Sequence, residues 1–575
     1  METNEKELTG YPSVDKPWLK YYSEEAISSP LPECSAYDYL YLCNKDFLND
    51  TVLEYYGRKI TYKQMFENID KATKAFSALK LKENEIVIIV SITIPETIYA
   101  FYALNRIGIA VSFIDPRTNT NELISHIIEM KTGTLIILDL FSEKLSQIVK
   151  ETSLSNVIIQ SPSDSLPIIK RTAFRIKNKS KLSADYIIWN DFINSNNVTE
   201  MMHSEYVKDK CKAIIFTGGT TGVPKGVMLS DNNLNAAAFQ AKNSPIMVKR
   251  SDTFLNVMLP FYAYGLVLGL HTALTCGWKS IIITMFNLSD FTELLIKHKP
   301  NAVMGVTSFY EDLIKNDSVK NVDFSFLKAV LVGGDTVSPA LENEINSFFH
   351  THNCNIHLSK GYSMTEASAT TTISFESANE IGSNGIPLTK TNLGVFKCDD
   401  SNTELKYNEV GEICIESPTI MLGYYNKTEE TNKIIKTHSD GRIWLHTGDL
   451  GYINQNGMLY IQNRIKRIIV RYDGRKVFPN AIESVITKNK RVKACCAVGI
   501  TDKSHIQGKL PVVYVELKSE NTDNNILINE LMAMCEKELT EYSMPVDFRV
   551  CKSLPLTSVG KIDYRALEKM AEEMQ

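Results

Sequence analysis

Apolar positions in the first third of the chain switch between two periods. Met65, Ile69, Ala72, Phe76 and Leu79 recur on one face of a 3.6-residue repeat, which predicts an amphipathic helix. Thr61 and Gln64 stand ahead of it in a capping-box spacing. Residues 86–90 (Ile-Val-Ile-Ile-Val) form a continuous apolar run, as a strand buried on both faces requires. Pro95-Glu96 predicts the start of a second helix reaching Ile107, residues 110–114 the next strand, and a further helical pattern leads into an apolar run at 135–138. Strands alternating with helices predict an α/β fold with largely parallel sheets.

The rhythm breaks at residues 161–206, where Pro162 and Pro167 stand among Lys170, Arg171, Arg175, Lys177, Lys179 and Lys181. This reads as a solvated surface excursion, with a docking patch for an acidic partner or a membrane surface as the alternative. It resumes with a buried strand at 211–216. Two more strands follow, one at 329–332 ending at Gly333-Gly334-Asp335 and one at 356–358 ending at Gly361-Tyr362-Ser363-Met364-Thr365-Glu366. Residues 411–463 carry short strands and turns, a smaller β-rich piece. Beyond a basic stretch near 464, strand patterns at 492–500 and 511–517 and a helix at 525–540 form a compact α+β unit. The expectation is a large N-terminal domain, residues 1–464, and a smaller C-terminal domain, residues 465–575.

Composition narrows the class. With 575 residues, 44% hydrophobic, the chain has ample material for such cores. A net charge of -5 gives no sign of a nucleic-acid partner. Eleven cysteines without a Cys-x-x-Cys pair fit a reduced, cytoplasmic setting, and Cys495-Cys496 sits in an apolar run that reads as core. The polar N-terminus is no secretory signal. Residues 257–278 lack charge but include Pro260, Gly265, Gly269 and His271, so they predict a buried loop and helix beside a ligand pocket rather than a transmembrane segment.

The chemistry concentrates in Thr217-Gly218-Gly219-Thr220-Thr221-Gly222-Val223-Pro224-Lys225-Gly226. Glycines let backbone N–H groups converge on an anion, and threonine hydroxyls and a lysine suit a polyphosphate. It is not a Walker loop, because Lys225 follows Pro224 and precedes Gly226. In Gly361-Tyr362-Ser363-Met364-Thr365-Glu366, Tyr362 could stack on a base, Thr365 offers a hydroxyl, and Glu366 is the kind of carboxylate that holds Mg²⁺ beside phosphates. Ser363 fails as a hydrolase nucleophile, since the elbow's closing glycine is replaced by Thr365.

The glycine-rich loop resembles the phosphate loop of the adenylate-forming superfamily of acyl-CoA synthetases, aryl-CoA ligases, adenylation domains and luciferase. The resemblance extends along the chain in order. The segment at 361–366 is similar to Tyr-Gly-x-Thr-Glu, with Ser363 in place of the glycine. Gly333-Gly334-Asp335 resembles the Gly-Gly segment lining the acyl and adenine site, and Gly382-Ser383-Asn384-Gly385-Ile386-Pro387 and Gly423-Tyr424-Tyr425 have counterparts too. Trp444-Leu445-His446-Thr447-Gly448-Asp449 resembles the motif whose aspartate binds ribose hydroxyls. Arg464-Ile465-Lys466 resembles the hinge, although Asn463 replaces its usual acid. Gly474, with Val477-Phe478-Pro479, matches the loop that swings in for thioester formation, and residues 554–561 resemble Pro-x-Thr-x-x-Gly-Lys ending on Lys561.

The resemblance implies catalytic roles for Lys561, Glu366, Thr220 and Lys225, and Mg²⁺ at Glu366 and Thr220. It implies nucleotide and CoA contacts from Thr217, Gly218, Gly219, Thr221, Gly222, Gly333, Gly334, Asp335, Gly361, Tyr362, Ser363, Met364, Thr365, Asp449, Arg464, Lys466 and Gly474. ATP, Mg²⁺ and CoA are the implied cofactors and a carboxylic acid the substrate. A mobile C-terminal domain would carry Lys561 in and out, and the basic Arg471, Arg475 and Lys476 would meet CoA phosphates or form a solvated face. Phe261-Tyr262-Ala263-Tyr264-Gly265 is similar to aryl-CoA ligases, and no aspartate stands between Leu259 and Leu270 to hold an amino acid, so a fatty or aromatic acid is expected. The leading reading is an acid–CoA ligase. The alternatives are a stand-alone enzyme loading a carrier-protein thiol and a catalytically silent nucleotide sensor.

Overall fold

Burial on both faces makes the predicted apolar runs into strands. The structure, a computed structural model, describes residues 8–82, 84–178, 182–195, 201–217, 224–284, 290–333, 337–505, 507–518, 524–557 and 561–574. The fold is mixed α/β, with a large N-terminal and a smaller C-terminal domain.

Among the described residues the N-terminal part holds a nine-stranded and an eight-stranded sheet. In the eight-stranded sheet, Ile86–Val90 pairs in parallel with Ala110–Ile114 on one side and Thr134–Leu138 on the other. All five residues of Ile86–Val90 are buried, so no alternation is visible in the sequence. The nine-stranded sheet runs in parallel through Thr51–Tyr55, Lys279–Ile282, Thr253–Asn256, Ala302–Gly305, Ala329–Val332 and Ser359–Met364, and turns antiparallel at both ends. One core joins the sheets through helices Tyr62–Ala78, Pro95–Arg106 and Asp231–Lys242 and the wide helix Tyr264–Thr272. The first of these starts on the expected capping box, Thr61 with Gln64, a feature worth about 1 kcal/mol. Residues 257–278 are buried in this core, and no helix of the described residues is long and apolar enough to cross a membrane.

Asn392–Phe396, Gly411–Glu416, Ile443–Ile453, Ile435–Thr437 and Leu459–Arg464 form the β-rich piece. Past the turn Ile465–Arg467, a three-stranded sheet of Val492–Thr501, Lys509–Leu517 and Asp547–Cys551 packs with helices Pro479–Ile486, Asn524–Glu538 and Tyr564–Glu573. Cys495 and Cys496 are both buried there, as expected of core residues.

Two expectations need correction. The strand expected at 356–358 forms instead at Ser359–Met364. Its place is set by backbone pairing, Leu331 with Ser359 in parallel and Gly361 with Ile373 antiparallel, which a polar sequence does not advertise. The described residues of 161–206 are also less solvated than expected. Residues 162–166 are buried, and Trp189 and Phe192 pack on Phe76 in the main core. The lysines and arginines around them hid that apolar content.

Candidate functional site

The site is built where strands of the two large sheets end. Cys211–Thr217 and Lys225–Ser230 form an antiparallel hairpin in which Thr217 is registered against Lys225. They hold the base of the glycine-rich loop. Gly218, Gly219, Thr220, Thr221 and Gly222 lie outside the described residues, as do Gly334 and Asp335.

Lys225 extends from this base across the Tyr424 ring, 4.7 Å from its centroid, and pairs with Glu430 at 2.7 Å. The Lys225 hydrogen bond, with Lys433 behind it, pulls the Glu430 carboxyl down to about 2. A polyphosphate arriving at Lys225 therefore has to displace a standing carboxylate. The Tyr424 hydroxyl donates to Glu366 Oε1 at 2.7 Å. Glu366 sits half-buried in the turn Thr365–Ala367, directly after Ser359–Met364. Its own carbonyl accepts the Met421 N–H at 2.9 Å. Ser368 and Ala369 follow with φ of 53° and 80°, left-handed backbone that costs a non-glycine residue roughly 1–2 kcal/mol. Here it turns the chain back into the strand Ala369–Ile373, and Ser368 is anchored through its hydroxyl to the Thr419 carbonyl.

A second group lies on the β-rich piece. Asp449 on Ile443–Ile453 is registered opposite Arg464 on Leu459–Arg464, and Arg464 Nε donates to Asp449 Oδ1 at 2.7 Å. The other oxygen, Oδ2, accepts the buried Tyr362 hydroxyl at 2.5 Å. Burial and the neighbouring Asp449 push the Tyr362 phenol well above its ordinary value, so it remains a donor. A carboxylate offers about four acceptor positions, so each oxygen retains capacity for a ribose hydroxyl. Asp449 is aimed by the turn before it, where Gly448 at φ +71° gives its N–H to Glu412 Oε1 at 3.0 Å. Glu412 Oε2 meets His446 Nδ1 at 2.9 Å, and His446 Nε2 meets His438 Nε2 at the same distance. Glu412, Cys414 and His446 hold donor atoms within 4.8 Å of one another. The chain of hydrogen bonds already satisfies the Glu412 and His446 atoms, and we read it as support for the Gly448–Asp449 turn rather than as a metal centre.

Lys466 follows Arg464 by two residues. Burial, then the charges of Lys225 and Arg565, hold its ammonium below the ordinary lysine value. Lys225, Arg464, Lys466 and Arg565 thus form a concentration of positive charge, which Arg464 brings nearest to Glu366.

Beside this cluster opens a cavity whose walls include Ala237, Ala241, Tyr264, Leu268, Trp278 and Met304, with Gly333, Gly361 and Ser363 among the rest of its lining. No charged side chain lines it among the described residues. Gly333 lies against Tyr264, whose ring would be about 3.5 Å from any Cβ added there. Met364 and Thr365 continue the same segment into Glu366, half-buried.

The structure thus brings Lys225, Glu366, Tyr362, Asp449, Arg464 and Lys466 into two adjoining groups. Lys561 and Gly474 are on separate turns of the C-terminal part. The Thr557 N–H donates to the Lys561 carbonyl and the Lys561 N–H to the Thr557 hydroxyl, while Gly474 has φ +79° between the short strands Ile469–Val470 and Lys476–Val477. In the basic stretch nearby, Arg471 donates to the Tyr542 carbonyl and Arg475 pairs with Asp473. Two contributors escaped sequence reasoning. Glu430, in the first turn of Thr428–Ile434, belongs to no motif of the sequence, and Tyr424 stands there only as part of one.

Comparisons with known proteins bear on the family. The model of the AMP-binding enzyme family matches residues 43–425, and that of the AMP-binding enzyme C-terminal domain residues 481–561. A long-chain-fatty-acid–CoA ligase of Bacillus subtilis (strain 168) is 27% identical over 565 residues, covering 96% of this chain and 97% of that protein. A probable 4-coumarate–CoA ligase 1 of Dictyostelium discoideum is 27% identical over 484 residues, 83% of each chain. Among solved structures, the anthranilate CoA ligase AuaEII in complex with anthranoyl-AMP superposes with a TM-score of 0.81 at 18% identity, over 96% of this chain and 99% of that one. With a family model spanning well over half its length, the chain belongs to the AMP-binding enzymes, the adenylate-forming superfamily.

Proposed function

We propose that this acid–thiol ligase couples an apolar carboxylic acid, fatty or aromatic, to CoA at the expense of ATP. The observation that carries the reading is the cavity, uncharged among the described residues, that opens at Gly333, Gly361 and Ser363 beside the Lys225, Arg464, Lys466 and Glu366 cluster. A cavity without a carboxylate has nothing to hold a substrate ammonium, which disfavours an amino acid. One without a cation likewise disfavours a second carboxylate on the acid. The curated relatives named above, a long-chain-fatty-acid–CoA ligase and a probable 4-coumarate–CoA ligase, lie on the two sides of this choice.

The chemistry follows from the charges. A carboxylate oxygen attacks the α-phosphorus of ATP, a C–O–P linkage forms, and the bond to pyrophosphate breaks. Two anions must meet, so Lys225 and Lys466 stabilise the phosphates while Arg464 and Asp449 fix the nucleoside end. The oxygen donors at Glu366 fit a hard cation, and this residue would hold Mg²⁺, which when bound neutralises phosphate charge. Thiol sulfur then attacks the carbonyl, the C–S bond forms, the thiol proton is lost, and AMP leaves.

The test is pyrophosphate release from ATP with fatty, aryl and amino acids, each with and without CoA. We expect turnover that requires CoA with an apolar acid. Release that is sustained by hydroxylamine but not by CoA would replace CoA with a carrier-protein thiol, and silence across all acids with ATP still bound would leave a nucleotide sensor.

A further inference from the structure

The helix Ile168–Lys177 presents an apolar face that nothing in the described structure covers. Ile168, Ile169 and Ile176 are 79%, 85% and 68% exposed. At 100° per residue, positions 168, 172 and 176 align, with 169 and 173 beside them. Thr172 and Ala173 are exposed as well, so the stripe is continuous. Lys170 and Lys177 border it on one side and Arg175 on the other. The opposite side of the helix is fastened to the body. Phe174 packs against the main core, Arg171 donates to the Asp164 and Leu166 carbonyls at 2.9 and 3.3 Å, and Arg175 pairs with Asp164 at 3.2 Å. The isoleucines are therefore held outward by the fold.

We propose that this helix docks the enzyme on an anionic bilayer surface, its isoleucines entering the headgroup–acyl boundary. Charge selects the occupant. The ten residues carry four cations and no anion, in a chain whose net charge is -5. Arg171 and Arg175 are held by the body and Lys170 Nζ reaches the Tyr56 carbonyl at 2.8 Å, so the exposed Lys170 and Lys177 are the flank offered to a surface. An apolar stripe edged by lysine and arginine on a helix lying flat is the pattern that binds anionic lipid, each cation near the surface strengthening the partition roughly fivefold. A protein groove would leave the flanking cations to pair with carboxylates, whereas a lipid surface satisfies stripe and flanks together.

The test uses the full chain and sucrose-loaded phosphatidylcholine vesicles with and without phosphatidylglycerol, read by sedimentation. We expect binding to the vesicles containing phosphatidylglycerol, weakened by salt. The triple variant Ile168→Asn, Ile169→Asn, Ile176→Asn should lose at least about tenfold in partition. Lys170→Glu with Lys177→Glu should lose a similar amount. Both sets of positions are exposed, and an unchanged thermal transition will report an intact fold. Wild-type protein left in the supernatant with phosphatidylglycerol present would overturn the proposal. So would an isoleucine variant that sediments like the wild type while the lysine variant does not, the mark of a charged partner without an apolar phase.

Discussion

Glu96 illustrates how single residues here are governed by burial. It stands in the first turn of Pro95–Arg106, where the helix dipole favours a charged carboxylate. It is nevertheless fully enclosed, and burial, then the nearby Asp164, push its carboxyl from 4.5 up to about 8. The Ser165 hydroxyl, which Oε1 accepts at 2.5 Å, favours the charged form but is outweighed by burial, and Oε2 has no partner to help hold a charge. A raised carboxyl value means that the folded chain binds a proton that the unfolded chain releases. The stability tied to that proton is fully present below pH 4.5 and is lost as pH rises through about 8. Glu96→Gln keeps the shape and the acceptor without the titration. Its stability advantage over the wild type should be small at pH 5, grow to about 3 kcal/mol by pH 7 and level off above pH 8, as measured by urea unfolding. A constant difference across that range would show that Glu96 titrates normally.

Elements decide what substrate the site admits. Ala237 and Ala241 lie one turn apart on Asp231–Lys242 and line the cavity. Ala241→Trp would fill it with an indole. For the longest acid the enzyme accepts, kcat/KM should fall by about 10² or more, and for the shortest by less than tenfold, since a bulky insertion excludes what must lie deep and spares what does not. Equal losses for both acids would mean that the cavity does not hold the acyl group. The same scale determines what could be read in the sequence. Ile86–Val90 and Ala110–Ile114 were legible to the residue, because strands buried on both faces are apolar nearly throughout, with Ser112 the one hydroxyl among these ten positions. Ser359–Met364 was not, because its position depends on ladders to Leu331 and Ile373 rather than on its own polar side chains. The motifs named Asp449, Arg464 and Glu366, but their partners come from long-range register. Tyr362 meets Asp449 across 87 positions, and Tyr424 meets Glu366 across 58.

The molecule as a whole must perform two reactions at one place, and they make opposite demands. Joining a carboxylate to a phosphate calls for added positive charge, whereas attack by a thiol calls for room and for that charge to be withdrawn. We propose a boundary near residue 465 and a C-terminal domain that presents Lys561 for the first reaction and the Gly474 turn for the second. The two lie on different turns of that domain, Lys561 in the turn closed by Thr557 and Gly474 between Ile469–Val470 and Lys476–Val477. Gly474 adopts φ +79°, and a Cβ added there would meet no atom within 4 Å, so a β-branched substitution strains the backbone without creating a clash. Lys561→Ala should reduce acyl-adenylate formation by about 10²–10³ and leave thioester formation from supplied acyl-adenylate within a few fold of wild type. Gly474→Val should do the reverse. Each half-reaction is followed separately, the first by pyrophosphate release in single turnover and the second by loss of free thiol. If each variant slowed both half-reactions equally, one fixed arrangement of the domain would serve both steps, and the division of labour between its two turns would be wrong.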